Sequence, residues 1–401
     1  MSKEALLDRG ENISLMEPMQ LSQDSRHRSD LTDLAMELTA RASAFGSSLP
    51  PGILSALSDL VRAMNCYYSN LIEGHDTHPV DIERALNNDY SKQPEQRNLQ
   101  LEARAHITVQ QWIDQGGLKN SATSQDGIRE IHRRFEELLP EELLEINDPE
   151  TDEPLHVTPG KLRDRDVKIG QLVAVSPATL PKFMQRFEEI YRSLGKSESL
   201  ISCAAAHHRL LWIHPFLDGN GRVARLMSHA MLLDTLDTGG IWSIARGLAR
   251  NEAAYKQHLI ACDQPRRNDL DGRGHLSEEA LAAFTRFFLQ VCIDQVSFMQ
   301  QLVQPAQLRN RIMLWAEELI RLREIPQQSS RILEAILYRG ELPRGELPQL
   351  LDTGDRQARR VVSSLVEKGV ITSTSSRAPL HVAFPARLAG RWMPGLFPDR
   401  R

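Results

Sequence analysis

A short segment from Trp212 to Leu226, WIHPFLDGNGRVARL, concentrates side chains that suit chemistry on phosphate groups. Two glycines flank Asn220, and glycine both accepts positive φ and lets a ligand approach the backbone closely. Successive N–H groups in such a turn form a concave site for anions. The residues that follow predict a helix, and the N-terminus of a helix favours phosphate. Arg222 and Arg225 lie three residues apart on that helix, so both can hold phosphate oxygens from one face.

Two further residues of this segment could supply a metal ligand and a general base for a reaction at phosphate. Asp218 comes directly before the glycines, where a carboxylate can hold Mg²⁺ together with substrate phosphates. His214 lies four residues earlier, and its unperturbed pKa of about 6.5 suits a general base for a hydroxyl. A single Gly-x-Gly is usually a turn, and a single His before Pro-Phe is usually structural. Their occurrence together between residues 214 and 225 predicts nucleotidyl or phosphoryl transfer.

The segment resembles the signature of the Fic family (filamentation induced by cAMP), H-x-F-x-[DE]-G-N-G-R-x-x-R, at every specified position. Members of that family typically transfer AMP from ATP to a hydroxyl side chain of a protein. The resemblance implies that His214 deprotonates the target hydroxyl and that Asp218 holds Mg²⁺. It assigns the other positions to nucleotide binding: Phe216 by anchoring the loop in the core, Asn220 and the backbone of Gly219 and Gly221 around the phosphates, and Arg222 and Arg225 on the β and γ groups.

The same resemblance extends to three other features. Gly221 stands where the related Doc phosphotransferases have a lysine, and glycine there favours AMP transfer. The stretch GKLRDRDVKIGQLVAVSP resembles the family's flap, whose exposed strand edge can align a target segment by β-augmentation. The stretch NEAAYKQHL resembles the region that lines adenine, which makes Asn251 and Tyr255 candidate base contacts. A contact between two helices would explain these two residues equally well.

A second motif, SNLIEG at residues 69–74, lies well before the first. Ser69 and Glu73 are four residues apart and share one helical face. Alone, the pattern is typical of a helix end with a solvated glutamate. It also resembles the inhibitory motif of Fic proteins, [S/T]-x-x-x-E-[G/N], at every specified position, including Gly74. By that resemblance Glu73 pairs with Arg225 and withholds it from the γ-phosphate, since a carboxylate competes directly with phosphate for a guanidinium.

Helical apolar spacing surrounds both motifs and continues through most of the chain from residue 31 to about residue 303. Pro50 and Pro51 open the helix that carries SNLIEG, and Gly74 is placed to close it. Residues 144–178 differ, because glycine, proline and short β-branched alternation predict a small hairpin there. The sequence therefore predicts a mostly α protein with one small β element.

Residues 328–386 show helix, helix, longer helix and hairpin, the layout of a winged helix-turn-helix. The third helix carries Arg356, Arg359 and Arg360, which can meet DNA phosphates or base edges. Small winged helices also bind proteins or form dimers, and exposed arginines also occur without any partner. The net charge of −5 favours protein contacts over DNA.

The composition sets the broad class of the protein. The 401 residues suffice for two or three domains, and a net charge of −5 excludes a polycation that binds nucleic acid over its whole surface. None of the four cysteines forms a CxxC pair, which argues against structural zinc and disulfides and favours a reducing compartment. No stretch resembles a signal peptide or approaches the roughly 18 apolar residues of a membrane span. We expect a cytoplasmic protein.

Together these features predict a Fic-type helical bundle with a small β-hairpin flap, followed by a winged helix-turn-helix. The predicted domains are a flexible N-terminus (1–30), an N-terminal helical region (31–124) with the inhibitory helix at about 60–74, a Fic catalytic core (125–304), a connecting helix and linker (305–327), the winged helix (328–386) and a C-terminal tail (387–401).

The predicted function is an autoinhibited protein adenylyltransferase that uses ATP and Mg²⁺ and can also run the reverse hydrolysis. Its expected partners are ATP, a protein with a Ser, Thr or Tyr hydroxyl, the chain itself through self-modification, a second copy in a homodimer, and DNA through residues 328–386. The alternative is a DNA-binding regulator in which the Fic fold senses nucleotide. The intact His214 favours the enzyme, because sensing alone needs no base.

Overall fold

The computed structural model describes residues 6–148, 151–170, 172–236 and 238–398. The protein is 61% helical, with 16 α-helices and small hairpins in the described residues, so the mostly α prediction is confirmed. The helices are α1 (Arg28–Gly46), α2 (Pro51–Ile72), α3 (Pro79–Leu86), α4 (Pro94–Asp114), α5 (Gln125–Glu136), α6 (Leu180–Tyr191), α7 (Lys196–Ile213), α8 (Asn220–Leu236), α9 (Ile244–Arg250), α10 (Glu252–Cys262), α11 (Glu278–Leu302), α12 (Pro305–Arg321), α13 (Ser329–Arg339), α14 (Leu347–Leu351), α15 (Asp355–Glu367) and α16 (Ala389–Trp392).

The strands pair as three antiparallel hairpins. They are β1 (Glu145–Asn147) with β2 (Pro154–His156), β3 (Lys168–Ile169) with β4 (Leu172–Val173), and β5 (Ile371–Thr372) with β6 (His381–Val382). The predicted flap corresponds to β3 and β4. The β1–β2 hairpin is a second one within residues 144–178, where the β-branched alternation predicted a single hairpin.

Helices α7 and α8 pack against each other and flank the predicted catalytic segment in the sequence. Both helices are buried around most of their circumference, since neighbours surround them. Helix α5 packs on α8, α1 packs on α7 and α11, and α2 packs on α4 and α9. This arrangement brings α2 and α8, which are distant in sequence, to one site.

Helix α2 follows the predicted boundaries. Pro51 occupies its first turn, and Gly74 follows the last turn with φ +87°. A positive φ at this position is common where a helix ends, and glycine adopts it without steric cost. The motif SNLIEG therefore lies at the C-terminal end of α2.

The N-terminal residues differ from the expected flexible segment. From Leu6 onward they run along the helical body, and Met16, Met19 and Leu21 are buried in its core. Arg209 donates to the Pro18 carbonyl over 2.8 Å, and the Tyr191 hydroxyl donates to the Met19 carbonyl. The burial of these three apolar side chains and the hydrogen bonds to the two carbonyls hold the segment against the helices. The part of the prediction that concerns residues 1–5 lies outside the described residues.

The last residues differ from a free tail as well. Trp392, Met393 and Leu396 are buried, and α16 packs against α12. Before them, α13, α14, α15 and the β5–β6 hairpin follow in that order, and a bridge joins Leu342 to Leu380. The winged helix remains our interpretation of this order.

Two further observations concern the whole chain. Over the described ranges, every helix is too short or too polar to cross a membrane. Cys66, Cys203, Cys262 and Cys292 are all buried free thiols.

Candidate active site

His214 occupies the turn between α7 and α8 in a left-handed conformation, with φ 51° and ψ 65°. Its backbone N–H closes α7 by donating to the Leu210 carbonyl over 3.0 Å. Gly219 also has a positive φ, of +76°, and α8 begins at the next residue. The predicted turn at a helix N-terminus is thus present between His214 and Asn220.

Phe216 and Asn220 hold this turn from inside. Phe216 is fully buried and stacks on the His132 ring of α5, with 3.9 Å between the ring centroids. The Asn220 amide accepts from the Phe216 N–H over 3.0 Å and donates to the Phe216 carbonyl over 2.9 Å. Phe216 therefore anchors the loop in the core, and its contribution to nucleotide binding stays a prediction. Both polar atoms of the Asn220 side chain therefore form hydrogen bonds to the backbone of the loop.

The His214 imidazole suits proton acceptance. Its Nδ1 lies 3.3 Å from the Leu211 carbonyl, which assigns the ring proton to Nδ1 and leaves Nε2 with a free lone pair. Burial lowers the pKa of His214 to about 4. The ring is therefore neutral near pH 7 and can take a proton from a hydroxyl.

Asp218 and Arg222 form an ion pair beside the start of α8, with 2.8 Å between Asp218 Oδ2 and Arg222 Nη2. Arg222 also lies 3.8 Å from the Glu102 carboxylate, and its guanidinium lies over the Phe135 ring at 4.6 Å from the centroid. The Asp218 side chain is half exposed, with an oxygen besides the one that Arg222 uses. One accessible hard oxygen beside a phosphate site fits Mg²⁺, which takes few protein ligands when phosphates supply others.

Arg225 faces α2 and contacts both polar residues of SNLIEG. Its Nη2 lies 2.5 Å from Glu73 Oε1, its Nε donates to Ser69 Oγ over 2.8 Å, and Nη2 donates to the Ser69 carbonyl over 3.2 Å. Burial opposes ionisation of Glu73, but the charge and hydrogen bond of Arg225 outweigh it and hold the pKa of Glu73 below its ordinary value. Glu73 and Arg225 therefore form a charged, hydrogen-bonded ion pair.

The Glu73 carboxylate also covers the start of α8. A Cβ atom built on Gly221 would overlap Glu73 Oε1. A side chain at position 221 would therefore displace the Glu73 carboxylate from its present place. The carboxylate therefore lies over the backbone that was predicted to bind phosphate.

Four acid–base residues near the site, in two pairs, escaped the sequence analysis. His75 Nδ1 lies 2.8 Å from Glu102 Oε2, which raises the pKa of His75. Glu136 faces Gly219 and is buried, with His132 Nε2 3.9 Å away. Burial raises the pKa of Glu136 to about 7. The spacing of His132 and Glu136 on α5, four residues apart, was the available signal.

Asn251 and Tyr255 lie at the α9–α10 junction. The Tyr255 side chain is only 3% exposed, and its hydroxyl is 2.7 Å from His207 Nε2. The Asn251 amide donates to the Gly247 carbonyl over 2.9 Å. The structure thus places Tyr255 in the interior, where it contacts other helices. An adenine contact by either residue stays a prediction.

Comparisons with known proteins agree with this geometry. Residues 122–232 match the model of the Fic/DOC family. The protein adenylyltransferase Fic of Drosophila grimshawi is 43% identical over 84 residues, and that of Drosophila willistoni is 40% identical over 83 residues. Each match covers 20% of this chain and 17% of the relative. The chain thus matches about a sixth of the length of these relatives.

Solved structures share the fold over more of the chain. A Fic family protein from Desulfovibrio desulfuricans has a TM-score of 0.51 and 17% identity, covering 91% of this chain and 98% of that one. Fic-1 from C. elegans has a TM-score of 0.52 and 14% identity, covering 70% of this chain and 74% of that one. The signature, the family model and the shared fold agree: residues 122–232 of this chain are similar to the Fic/DOC family, and the fold is that of solved Fic family proteins.

Proposed function

We propose that the chain is an autoinhibited protein adenylyltransferase, which transfers AMP from ATP to a Ser, Thr or Tyr hydroxyl of a protein. The observation that carries the proposal is the pairing of a neutral His214, with Nε2 free, and a helix start flanked by Arg222 and Arg225. The adenylyltransferase names of the matched relatives support it over the matched segment.

In the proposed reaction, His214 Nε2 takes the proton of the target hydroxyl while its oxygen attacks the α-phosphorus of ATP. The bond from the α-phosphorus to the bridging oxygen breaks, and pyrophosphate leaves with that electron pair. Arg222 and Arg225 hold the β and γ groups and stabilise their charge. Asp218 would hold Mg²⁺, which neutralises phosphate charge when bound.

Target alignment is assigned to the β3–β4 hairpin. Its strands are short, and the Val173 side chain is 55% exposed. An extended target segment can add to an exposed strand edge and present its hydroxyl. Self-modification, a homodimer and the reverse hydrolysis with Glu73 activating water also belong to this proposal.

Restraint is assigned to Glu73. With Arg225 bonded to Glu73 and Ser69, the guanidinium cannot also hold a γ-phosphate in the same geometry. The Glu73 carboxylate near Gly221 also repels phosphate from the helix start. ATP would then bind in a pose unsuited to in-line attack.

The test compares α-³²P label transferred by wild type, Glu73→Gly, and Glu73→Gly combined with His214→Ala, in a lysate that supplies targets. We expect Glu73→Gly to label targets and itself well above wild type. The added His214→Ala change should remove about 10²–10⁴-fold of that activity and leave ATP affinity nearly unchanged. Equal labelling by all three proteins would refute the assignments of both residues.

A second candidate function, DNA binding, is favoured by one observation on α15. Arg356, Arg359 and Arg360 are exposed on the face opposite the buried Ala358 and Val361. Across the described chain, none of the three forms an ion pair within 4 Å, whereas other arginines such as Arg9, Arg133 and Arg309 do. Unpaired arginines on one helix face suit duplex phosphates.

This candidate is tested by the fluorescence anisotropy of a labelled random-sequence duplex at increasing salt. Arg359→Ala with Arg360→Ala should weaken binding and reduce the salt slope by about 0.9 for each lost phosphate contact. Arg97→Ala, an exposed and unpaired arginine on α4, is the matched control. Binding that is absent, or equal in all these proteins, rejects the candidate.

A further inference from the structure

The backbone of His214 adopts a conformation that a residue with a side chain rarely adopts. Its φ of 51° lies in the left-handed region, which is strained for a residue with a side chain and persists only where surrounding contacts enforce it. The conformation reverses the chain after α7 and so determines where the imidazole is directed. The contacts that enforce it therefore bear on the proposed reaction.

Arg163 supplies these contacts. Its Nε donates to the His214 carbonyl over 2.8 Å, and its Nη2 lies 3.4 Å from the Ile213 carbonyl. Its backbone N–H donates to the Pro215 carbonyl over 2.9 Å. One residue thus binds three successive carbonyl oxygens, centred on His214.

The same guanidinium also binds both ends of the flap. Nη1 donates to the Arg165 carbonyl over 2.8 Å, ahead of β3, and Nη2 donates to the Val175 carbonyl over 2.5 Å, after β4. Arg163 therefore joins the base of the hairpin to the turn that carries His214. Arg163 thus holds both His214, the proposed base, and the β3–β4 hairpin, which is assigned to target alignment.

The environment of Arg163 fits an anchor better than an ion pair. The residue is only 3% exposed, and no carboxylate of the described chain lies within 4 Å of its guanidinium. Burial lowers the pKa of Arg163 to about 10, so the group stays charged at neutral pH. A buried charge is tolerated where hydrogen bonds satisfy its donors, and here carbonyl oxygens do so. Lysine could satisfy only part of this set, since it lacks the planar fork.

We propose that Arg163 is a positioning residue: by holding the carbonyls of residues 213–215 it fixes the His214 turn, and by holding the flap base it keeps that turn in register with the target strand. The inference rests on the proposed function for its catalytic consequence. The geometric part concerns only this chain and can be measured without any reaction.

The test uses Glu73→Gly as the active parent and adds Arg163→Met or Arg163→Lys. The control is Arg129→Met, because Arg129 Nε also binds a loop carbonyl, that of Gly160, over 2.9 Å, but contacts no residue of the His214 turn. For each protein we would measure kcat, the KM and Kd for ATP, and the imidazole NMR signals of His214.

Arg163→Met should lower kcat about 10²-fold, since displacement of a reacting group by about 1 Å costs that much. The Kd for ATP should stay within about twofold, because the phosphates are bound elsewhere. Arg163→Lys should recover part of kcat through a single hydrogen bond to the His214 carbonyl. The His214 signals should move in both variants and stay in place in Arg129→Met.

The inference is overturned if the Arg163 variants keep the parental kcat and unshifted His214 signals, or if kcat and ATP affinity fall together as in a collapsed site. If Arg163→Met does not fold, Arg163→Lys decides by the same criteria. A parent that transfers no AMP counts against the proposed function. The His214 signals would then still decide whether Arg163 fixes the turn.

Discussion

At the scale of single residues, the low pKa of His214 has a measurable consequence. Burial lowers this pKa to about 4, so the ring stays neutral well into the acid range. In the Glu73→Gly background, kcat/KM should therefore stay level from pH 8 down to about pH 5, whereas an ordinary histidine would halve it near pH 6.5. The measurement is a kcat/KM profile with mixed buffers at constant ionic strength. A midpoint between pH 6 and 7 would contradict the assigned environment of His214.

Glu136 gives a residue-scale prediction that concerns stability. Its pKa of about 7 lies above the ordinary value of 4.5, so the folded state holds this proton more tightly than the unfolded chain does. Folding stability is therefore lost as the pH rises between these two values, and Glu136→Gln should avoid the loss. At pH 8 the variant should exceed wild type by up to about 3 kcal/mol, with a much smaller difference at pH 5.

Urea unfolding of both proteins at pH 5 and pH 8 measures this difference. Glu137→Gln is the control, because Glu137 is the next residue but is exposed and paired with Arg133. A gain from Glu136→Gln that does not change between the two pH values would mean that Glu136 is ionised throughout.

The sequence predicted the site residues unevenly, for a physical reason. His214, Asp218, Gly219 and Arg222 lie within one turn and one helix start, where local spacing alone determines proximity. Glu136 and Arg163 reach the same place only because α5 and the flap base pack against that turn. Because both residues are distant from the motif in sequence, local spacing could not identify them. Tyr255 is the opposite case: the sequence predicted a contact with adenine, whereas in the structure the Tyr255 hydroxyl forms a hydrogen bond with the buried His207.

At the scale of elements, the proposed inhibition depends on the contact between the end of α2 and the start of α8. Ser69 is fully buried at that contact, and its Oγ accepts from Arg225 Nε over 2.8 Å. Ser69→Ala should weaken the restraint by about 1 kcal/mol, or about fivefold in AMP transfer, because it removes one hydrogen bond to a charged donor but keeps Glu73. Labelling by Ser69→Ala should fall between that of wild type and that of Glu73→Gly.

Ser55→Ala is the matched control, since Ser55 is exposed on the same helix. If the two alanine variants label targets equally, α2 acts through Glu73 alone and the hydrogen bond to Ser69 has no share in the restraint.

Long elements were the most predictable ones. Helices such as α2 and α11 carry many periodic apolar residues, and proline, serine or glycine marks their ends. The β1–β2 hairpin and the seven-residue α9 are too short to show a period. The N-terminal segment was misjudged, because Met16, Met19 and Leu21 follow neither a helical nor a strand period and find their burial only in the tertiary structure.

At the scale of the whole molecule, α2 is held at both ends by the last third of the chain. Near its start, Gly52 lies against the backbone of Gly340, so closely that a Cβ on Gly52 would overlap the Gly340 carbonyl. Near its end, the Tyr68 hydroxyl donates to the Leu396 carbonyl over 3.0 Å, and the Tyr67 ring meets Phe397 edge-on at 5.7 Å. Tyr68 directly precedes Ser69 of the SNLIEG motif.

Other elements hold the C-terminal segment in turn. Arg246 of α9 donates to the Gly395 carbonyl over 2.7 Å, and its guanidinium lies 3.6 Å from the ring centroid of Phe298 on α11. Leu396 is fully buried beside them. The segment thus joins the end of α2 to α9 and α11.

Loosening the C-terminal segment should therefore raise AMP transfer although Glu73 is intact. Phe397→Ala removes the ring beside Tyr67. Tyr68→Phe removes the hydrogen bond from the Tyr68 hydroxyl, so that the buried Leu396 carbonyl keeps only the longer contact from Arg246 Nε, at 3.4 Å. A loss of about 1 kcal/mol from the inhibited state corresponds to about a fivefold rise in the active population. Label transfer by both variants, with Tyr338→Ala as the control for an 85% exposed aromatic residue on α13, measures this effect. If both variants stay as inactive as wild type while Glu73→Gly is active, the restraint depends on α2 and α8 alone, and the C-terminal segment contributes only to stability.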